Sequence, residues 1–192
     1  MDLEYENGLH EGMAYVYAFY EGSGSSDKEI VGRIEGERQA RELFTVQGGN
    51  KTVTGTGVRA GREYGSGSLT ISLKDSSGNT LGSGTVPASN FSFIFNNYTD
   101  TNGLPNGDWV TVDFNPSITL VNGQTYQLVM TVPSGTRYAM VPLRYIDSAD
   151  TPFESYAFRE GRAQLSRNGG TNWENNYNFA PDSNYQFYLT LQ

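Results

Sequence analysis

The sequence predicts an all-β fold: a two-sheet antiparallel β-sandwich, of the jelly-roll kind, with about ten strands. Three observations carry this. Glycine is abundant (23 of 192 residues) and falls beside Asn, Ser and Asp in turn-like clusters. Between the clusters, apolar and polar residues alternate with period two, the signature of half-buried strands. Almost no stretch shows the 3.6-residue period of an amphipathic helix. The length suits one domain with a proper core.

Taken in order, "MAYVYAFY" (13–20) alternates Tyr15, Tyr17 and Phe19 with Ala14, Val16 and Ala18, a strand with aromatics on one face. "EGSGSSDKE" follows as a Gly/Ser linker. Residues 34–41 have the option of a short helix, but "ARELFTVQ" (40–47) reads better as a strand closed by Gly48 and Gly49. "TVTGTGVRAGR" (52–62) is a strand, and "SLTISLK" (68–74) turns Leu69, Ile71 and Leu73 inward. "DSSGN" is a hairpin turn, with Gly78 supplying positive φ and the Asp and Ser side chains bonding the backbone. It leads into "TLGSGTV" (80–86), then "NFSFIF" (90–95), a strand or the base of a loop, and the long polar loop 97–108.

"WVTVDF" (109–114) sends Val110, Val112 and Phe114 inward, and "QTYQLVMTV" (124–132) does the same with Tyr126, Leu128, Met130 and Val132. "RYAMVPLRY" (137–145) holds Pro142, which belongs at an edge or a bulge. Its alternation opposes an apolar row, Ala139, Val141, Leu143 and Tyr145, to Tyr138, Met140, Pro142 and Arg144. A second long loop (148–161) precedes the hairpin "LSRNGGTNW", and "YQFYLTL" (185–191) closes the chain with Tyr185, Phe187, Leu189 and Leu191 inward. The expected organisation is an acidic N-terminal extension, 1–36, containing the strand at 13–20 and the linker, followed by the sandwich domain, 37–192. No repeat of twenty to fifty residues is visible.

Charge narrows the partners. The formal net charge is −8, and residues 1–42 hold about ten acids against four bases. Nucleic-acid binding rests on clustered Lys and Arg, so no nucleic-acid partner is expected. No apolar run approaches membrane length, so no membrane partner is expected either. With no cysteine there is no disulfide and no thiol nucleophile. The opening "MDLEYENGLHEG" is acidic where a signal peptide is basic and then apolar. That start suggests a domain cut from a longer chain, with a complete intracellular protein as the alternative.

Catalytic constellations are mostly missing. His10 is the only histidine, no G-x-S-x-G elbow exists, and the glycine pairs Gly22/Gly24, Gly65/Gly67 and Gly82/Gly84 lack a phosphate-loop lysine and a following helix. Carboxylates are scattered with no spacing that selects a glycosidase pair. No catalytic residue is therefore expected, and the chain reads as a non-enzyme. No cofactor is read from the sequence. The one metal option is a structural Ca²⁺ on the carboxylates of Asp100, Asp108 and Asp113, although these lack the spacing of a calcium loop.

What remains is aromatic and amide chemistry in loops, as in "NWENNYNF" and "NYTDTNG". Sugar rings stack apolar C–H faces on Trp and Tyr, while amides and arginine forks bond the hydroxyls or a uronate. The same aromatics also fill sandwich cores and edges. By alternation Trp109 faces outward with Thr111 and Asp113, and Tyr138 stands opposite the apolar row with Arg144. The carbohydrate-contacting residues expected are Tyr177, Trp173, Trp109, Tyr138, Arg144 and Asn176. Among these, Trp173 reads more as a pin for the returning strand and Tyr177 as the contact.

Two resemblances follow from these segments. Ser166, Asn168, Gly170 and Trp173 reproduce the S-x-(D/N)-x-G-x-x-W spacing of the Asp-box hairpin found in sialidases and sugar-handling β-proteins, with Asn168 in place of the aspartate. One copy without a propeller repeat implies a rigid hairpin and not glycosidase chemistry. "SGSLTISLKDSSGNTLGSGTV", "LPNGDWVTVDFNPSITLVNGQTYQLVM", "PSGTRYAMVPLR" and "GRAQLSRNGGTNW" together resemble carbohydrate-binding-module-like β-sandwich accessory domains of secreted polysaccharide-degrading enzymes. The resemblance implies a non-catalytic, secreted or cell-surface module that binds a polysaccharide or oligosaccharide and serves an attached catalytic domain. The alternative is a structural or adhesive sandwich of a surface, fibre or virion protein. A jelly-roll lyase or hydrolase comes third. "ARELF" (40–44) is similar to the catalytic strand of alginate lyases, but that family's accompanying Gln-Ile-His and tyrosine strands are missing.

Overall fold

The computed structural model describes residues 9–10, 13–16, 32–91, 107–140, 142–143, 158–175, 184–185 and 187–192. In chain order the strands are β1 (Leu9–His10), β2 (Met13–Val16), β3 (Gly32–Ile34), β4 (Gln39–Val46), β5 (Lys51–Tyr64), β6 (Leu69–Asp75) and β7 (Thr80–Val86). After a 3₁₀ turn at Ala88–Asn90 come β8 (Asp108–Leu120), β9 (Thr125–Thr131), β10 (Arg137–Met140), β11 (Pro142–Leu143) and β12 (Phe158–Ser166). The last three are β13 (Glu174–Asn175), β14 (Asn184–Tyr185) and β15 (Phe187–Leu191). Beyond the ten or so strands expected, the excess lies in pieces only two or three residues long.

These strands form two antiparallel sheets face to face. The first runs β1-β2-β15-β5-β10-β3, with β8 on the opposite side of β5. The second runs β13-β12-β4-β9-β6-β7, and β11 with β14 makes a separate two-stranded ribbon. The expected inward rows hold: Leu69, Ile71 and Leu73 are fully buried, as are Leu128, Met130, Tyr185 and Leu189. Val110, Val112, Phe114, Tyr126, Val132 and Phe187 join them, while Leu191 is partly buried against the same core. Each such aliphatic or aromatic side chain withdrawn from water contributes about 1.5–3 kcal/mol.

Local chemistry explains the turns. The Asp75 carboxylate accepts the Ser77 and Asn79 backbone N–H groups at 2.9 and 2.8 Å, and Gly78 takes φ 88°. The helix option at 34–41 is not taken. Glu35 and Arg38 bridge each other across a tight turn, with Gly36 at φ 55°. Ile34 is fully buried and β3 pairs with β10, so the first sheet draws on residues ahead of position 37. Pro142 is the first residue of β11, which pairs with β14 and not with the neighbours of β10, and the first residue of a strand is a position where proline is tolerated. Two glycines let the sandwich close on one flank. A Cβ on Gly82 would stand 2.5 Å from Ile118 Cδ1, and one on Gly84 would stand 2.6 Å from Val112 Cβ.

The N-terminal strand β2 pairs with β15, setting Tyr15 opposite Tyr188 in register. Tyr17, Phe19 and the linker lie outside the described residues. No helix among the described residues is long and apolar enough to cross a membrane.

Candidate functional site: an aromatic pair on the outer face of the first sheet

Alternation along β8 exposes Trp109, Thr111 and Asp113 while Val110 and Val112 enter the core. The same alternation on β15 buries Phe187 and Leu189 and leaves Tyr188 on the outer face. Strand β5 lies between the two. It pairs Gly57 with Tyr188 on one side and with Thr111 on the other, and it pairs Arg59 with Trp109. A Cβ on Gly57 would sit 2.3 Å from Tyr188 Cε1 and 2.4 Å from its Cζ, so the phenol ring lies down on the glycine. This brings the Tyr188 ring to 5.4 Å from that of Trp109, with 46° between their planes. Trp109 is 38% exposed.

The backbone under the pair is held firmly. Thr56, inward and buried, donates its hydroxyl to the Tyr188 carbonyl at 2.7 Å. Arg59 Nε donates to the Gly107 carbonyl at 3.2 Å, next to the start of β8. The result is a shallow apolar surface of two rings with hydroxyl, carboxylate and guanidinium groups at its rim. Such a surface can stack a ring-shaped apolar face and hydrogen-bond its substituents.

Trp173 belongs to a different structure on the outer face of the second sheet. Its ring carries the Arg41 guanidinium at 4.4 Å. Arg41 in turn donates to Gln164 Oε1 at 2.7 Å and Gln127 Oε1 at 2.9 Å, and burial pushes its pKa down. The hairpin behind it is tied by Ser166, whose Oγ accepts the Gly170 N–H at 2.9 Å and the Asn168 N–H at 3.3 Å. Asn168 Oδ1 accepts the Asn172 N–H at 2.9 Å, and Gly169 and Gly170 take φ 67° and 84°. Trp173 is thus packed as a pin under Arg41, half-buried.

Tyr138 corrects the outward reading. It is fully buried, packs edge-on against Phe91 at 4.7 Å, and donates its hydroxyl to the Gly67 carbonyl at 3.0 Å. The reason is that β10 is covered on both faces: Tyr138, Ala139 and Met140 are all fully buried, so no polar phase marks the outer side. A tyrosine enters a core at little cost when its hydroxyl finds such an acceptor. Tyr177, Asn176 and Arg144 lie outside the described residues. The residue missed was Tyr188. Assigning Tyr185, Phe187 and Leu189 inward already leaves it outward.

The carboxylates divide likewise. Asp113 is on the outer face, and Asp108 shares the parity of Val110 and Val112, so the two do not converge; Asp100 lies outside the described residues. Among the described residues no three His, Cys, Asp or Glu side chains gather into a metal-binding group. Glu42 of "ARELF" is fully buried on the inner face and accepts the Tyr185 N–H at 2.8 Å, joining the second sheet to the segment that feeds β15.

An ionic cluster closes one end of the first sheet. Arg137 donates from Nε and Nη2 to Glu35 Oε2 at 3.0 and 2.7 Å, and the Tyr64 hydroxyl donates to Glu35 Oε1 at 2.6 Å. Arg33 Nε meets Glu63 Oε1 at 2.8 Å. The Tyr64 bond and then the Arg137 bond hold the Glu35 carboxyl below its ordinary 4.5. A depressed carboxyl stabilises the fold above its ordinary value and loses that contribution as pH falls through the folded value. The thermal midpoint of Glu35→Gln is therefore expected to lie below that of the wild type at pH 7, with the gap closing below pH 4.5. A gap that stays constant from pH 7 to 3 would rule the linkage out.

Compared with known proteins, the chain matches no protein-family model, and no curated protein is significantly similar to it.

Proposed function

We propose that this sandwich is a non-catalytic carbohydrate-binding module, secreted or at the cell surface, that docks a polysaccharide on the Trp109–Tyr188 face. The supporting observation is the adjacency of the two rings, 5.4 Å apart and laid over a glycine of the strand between them. A rigid sheet makes a flat, pre-organised surface that costs little entropy to occupy. Asp113 on the same face and the net charge of −8 favour an uncharged glycan over a uronate. Arg137, one of the arginines that would suit a uronate, is engaged by Glu35 instead.

Affinity electrophoresis through gels containing neutral and acidic polysaccharides tests the reading. The wild type is expected to be retarded by a neutral polymer. Trp109→Ala and Tyr188→Ala are each expected to weaken binding about tenfold, the loss of roughly 1.4 kcal/mol typical of an anchoring aromatic. Retardation unchanged in both variants would move the site elsewhere. A reducing-end assay on the same polymers is expected to show no cleavage.

A further inference from the structure

Arg33, Arg137 and Arg167 each face a carboxylate: Glu63 at 2.8 Å, Glu35 at 2.7 Å and Glu174 at 3.9 Å. Arg41, on the outer face of the second sheet, does not. Its partners are the Gln164 and Gln127 side-chain carbonyls, on Nε and Nη1, and the Trp173 ring beneath the guanidinium. Amide dipoles and a π face orient a cation but bring no negative charge to balance it. Burial lowers the Arg41 pKa, and among the described residues no carboxylate raises it again. Charges drawn out of water are ordinarily paired.

The guanidinium is also held in place. Arg41 stands directly opposite Gln164 of β12, and Gln127 lies diagonally across on β9. Both glutamines are buried, and Gln127 Nε2 donates to the Asp75 carbonyl at 3.0 Å, which leaves its Oε1 for Arg41. What is left over is Nη2. Among the described residues it has no hydrogen-bond partner, and it is not sealed from solvent.

The surroundings suit an anion. The charged residues facing outward on β4, β9, β6 and β7 are Arg41 and Lys74, both cations. Glu42 points into the core, and Asp75 is spent on its turn. The cross-strand row that contains Arg41 continues through Val129 and Ser72 to Ser83, whose hydroxyl shares a 2.9 Å hydrogen bond with that of Ser72. At a strand spacing of about 4.8 Å, the two serines stand roughly 10 and 14 Å along the row from Arg41.

We propose that Arg41 is the docking point for the carboxylate of an acidic sugar, with the serine row beside it bonding sugar hydroxyls. A planar carboxylate matches the guanidinium edge. One guanidinium balances one negative charge, which fits a uronate better than a doubly charged phosphate. The site is separate from the Trp109–Tyr188 pair, which lies on the other sheet together with Asp113. Each face then takes a different kind of sugar, neutral on the first sheet and acidic on the second. That the ligand is a sugar rests on the glycan reading above. The carboxylate site itself does not.

Trp173 reports on the site. The chain has two tryptophans, so in Trp109→Phe the indole beneath Arg41 is the only emitter and the other face gives no signal. Its fluorescence is titrated at constant ionic strength with sodium glucuronate, glucose or sodium acetate, up to roughly 100 mM so that millimolar affinity registers. Glucuronate is expected to give a saturable change, about tenfold tighter than acetate, and glucose none. In the same background Arg41→Gln is expected to abolish the glucuronate response. Arg41→Lys, which keeps the charge and loses the fork, should weaken it about tenfold. The absence of a saturable glucuronate response overturns the proposal, and so does a response that survives Arg41→Gln. Acetate or glucose binding as tightly as glucuronate overturns it too, the first by removing the sugar and the second by removing the carboxylate. This ligand series decides the matter even where Arg41→Gln fails to fold. No readout passes through Trp109, so failure here leaves the first face untouched.

Discussion

Phe44→Ala is expected to lower the unfolding free energy by about 3–5 kcal/mol, the range for truncating a buried phenylalanine. Phe44 is 1% exposed and sits where the two sheets meet. Within its own sheet it is in register with Tyr126, ring centroids 6.0 Å apart. Across the interface it meets Phe187 of β15 at 5.5 Å. Removing the ring takes a contact from each sheet at once, and the flanking β-strands are hydrogen-bonded on both sides of β4, which limits collapse into the cavity. Domains of this size carry roughly 5–15 kcal/mol in total, so the loss is a large share. Urea unfolding at pH 7 reads it as a fall in midpoint with little change in slope. Val121→Ala, at a position 47% exposed, is the control and should move stability by less than about 0.5 kcal/mol. A Phe44→Ala change as small as that of the control would show that the sheets are not joined through this ring.

Gly57→Ala is expected to abolish the aromatic pair while leaving the sandwich folded. The added methyl would lie 2.3 Å from Tyr188 Cε1, and an aromatic ring cannot flex locally to make room. The whole side chain must swing off the strand toward solvent, which separates it from Trp109. The backbone around it has no reason to follow, because Thr56 still holds the Tyr188 carbonyl from the inner side. Polysaccharide retardation should fall as far as in Tyr188→Ala, about tenfold. Trp109 fluorescence, read in a Trp173→Phe background, should report a more solvated indole. Full retardation together with a solvated Trp109 would separate the ring pair from binding.

These two positions illustrate what could and could not be read along the chain. Phe44 lies in "ARELFTVQ", where Ala40, Phe44 and Val46 share a parity and mark a core strand. Glu42 shares that parity too, but that it is buried with a backbone N–H for a partner is visible only once Tyr185 arrives from the far end of the chain. Gly57 was one glycine among many in "TVTGTGVRAGR". Its meaning comes from the ring of Tyr188 lying on it.

Period-two alternation therefore determined the all-β class, the inward rows of β6, β8, β9 and β15, and the outward direction of Trp109. It works wherever one face of a strand meets water and the other meets the core, because burial then imprints a polar phase on the sequence. The turn at Asp75 and the hairpin at Ser166 were equally legible, since Asp, Ser, Asn and Gly act there through their own nearby backbone. Tertiary structure alone decided the rest. It covered β10 on both faces and so reversed Tyr138, and it placed Arg41 over Trp173. It also brought β8 and β15 to opposite sides of β5, so that Trp109 and Tyr188 meet over Gly57. Alternation says which face a residue takes. Which strands become neighbours depends on non-local pairing, whose energy is spread over the whole core and leaves no local mark.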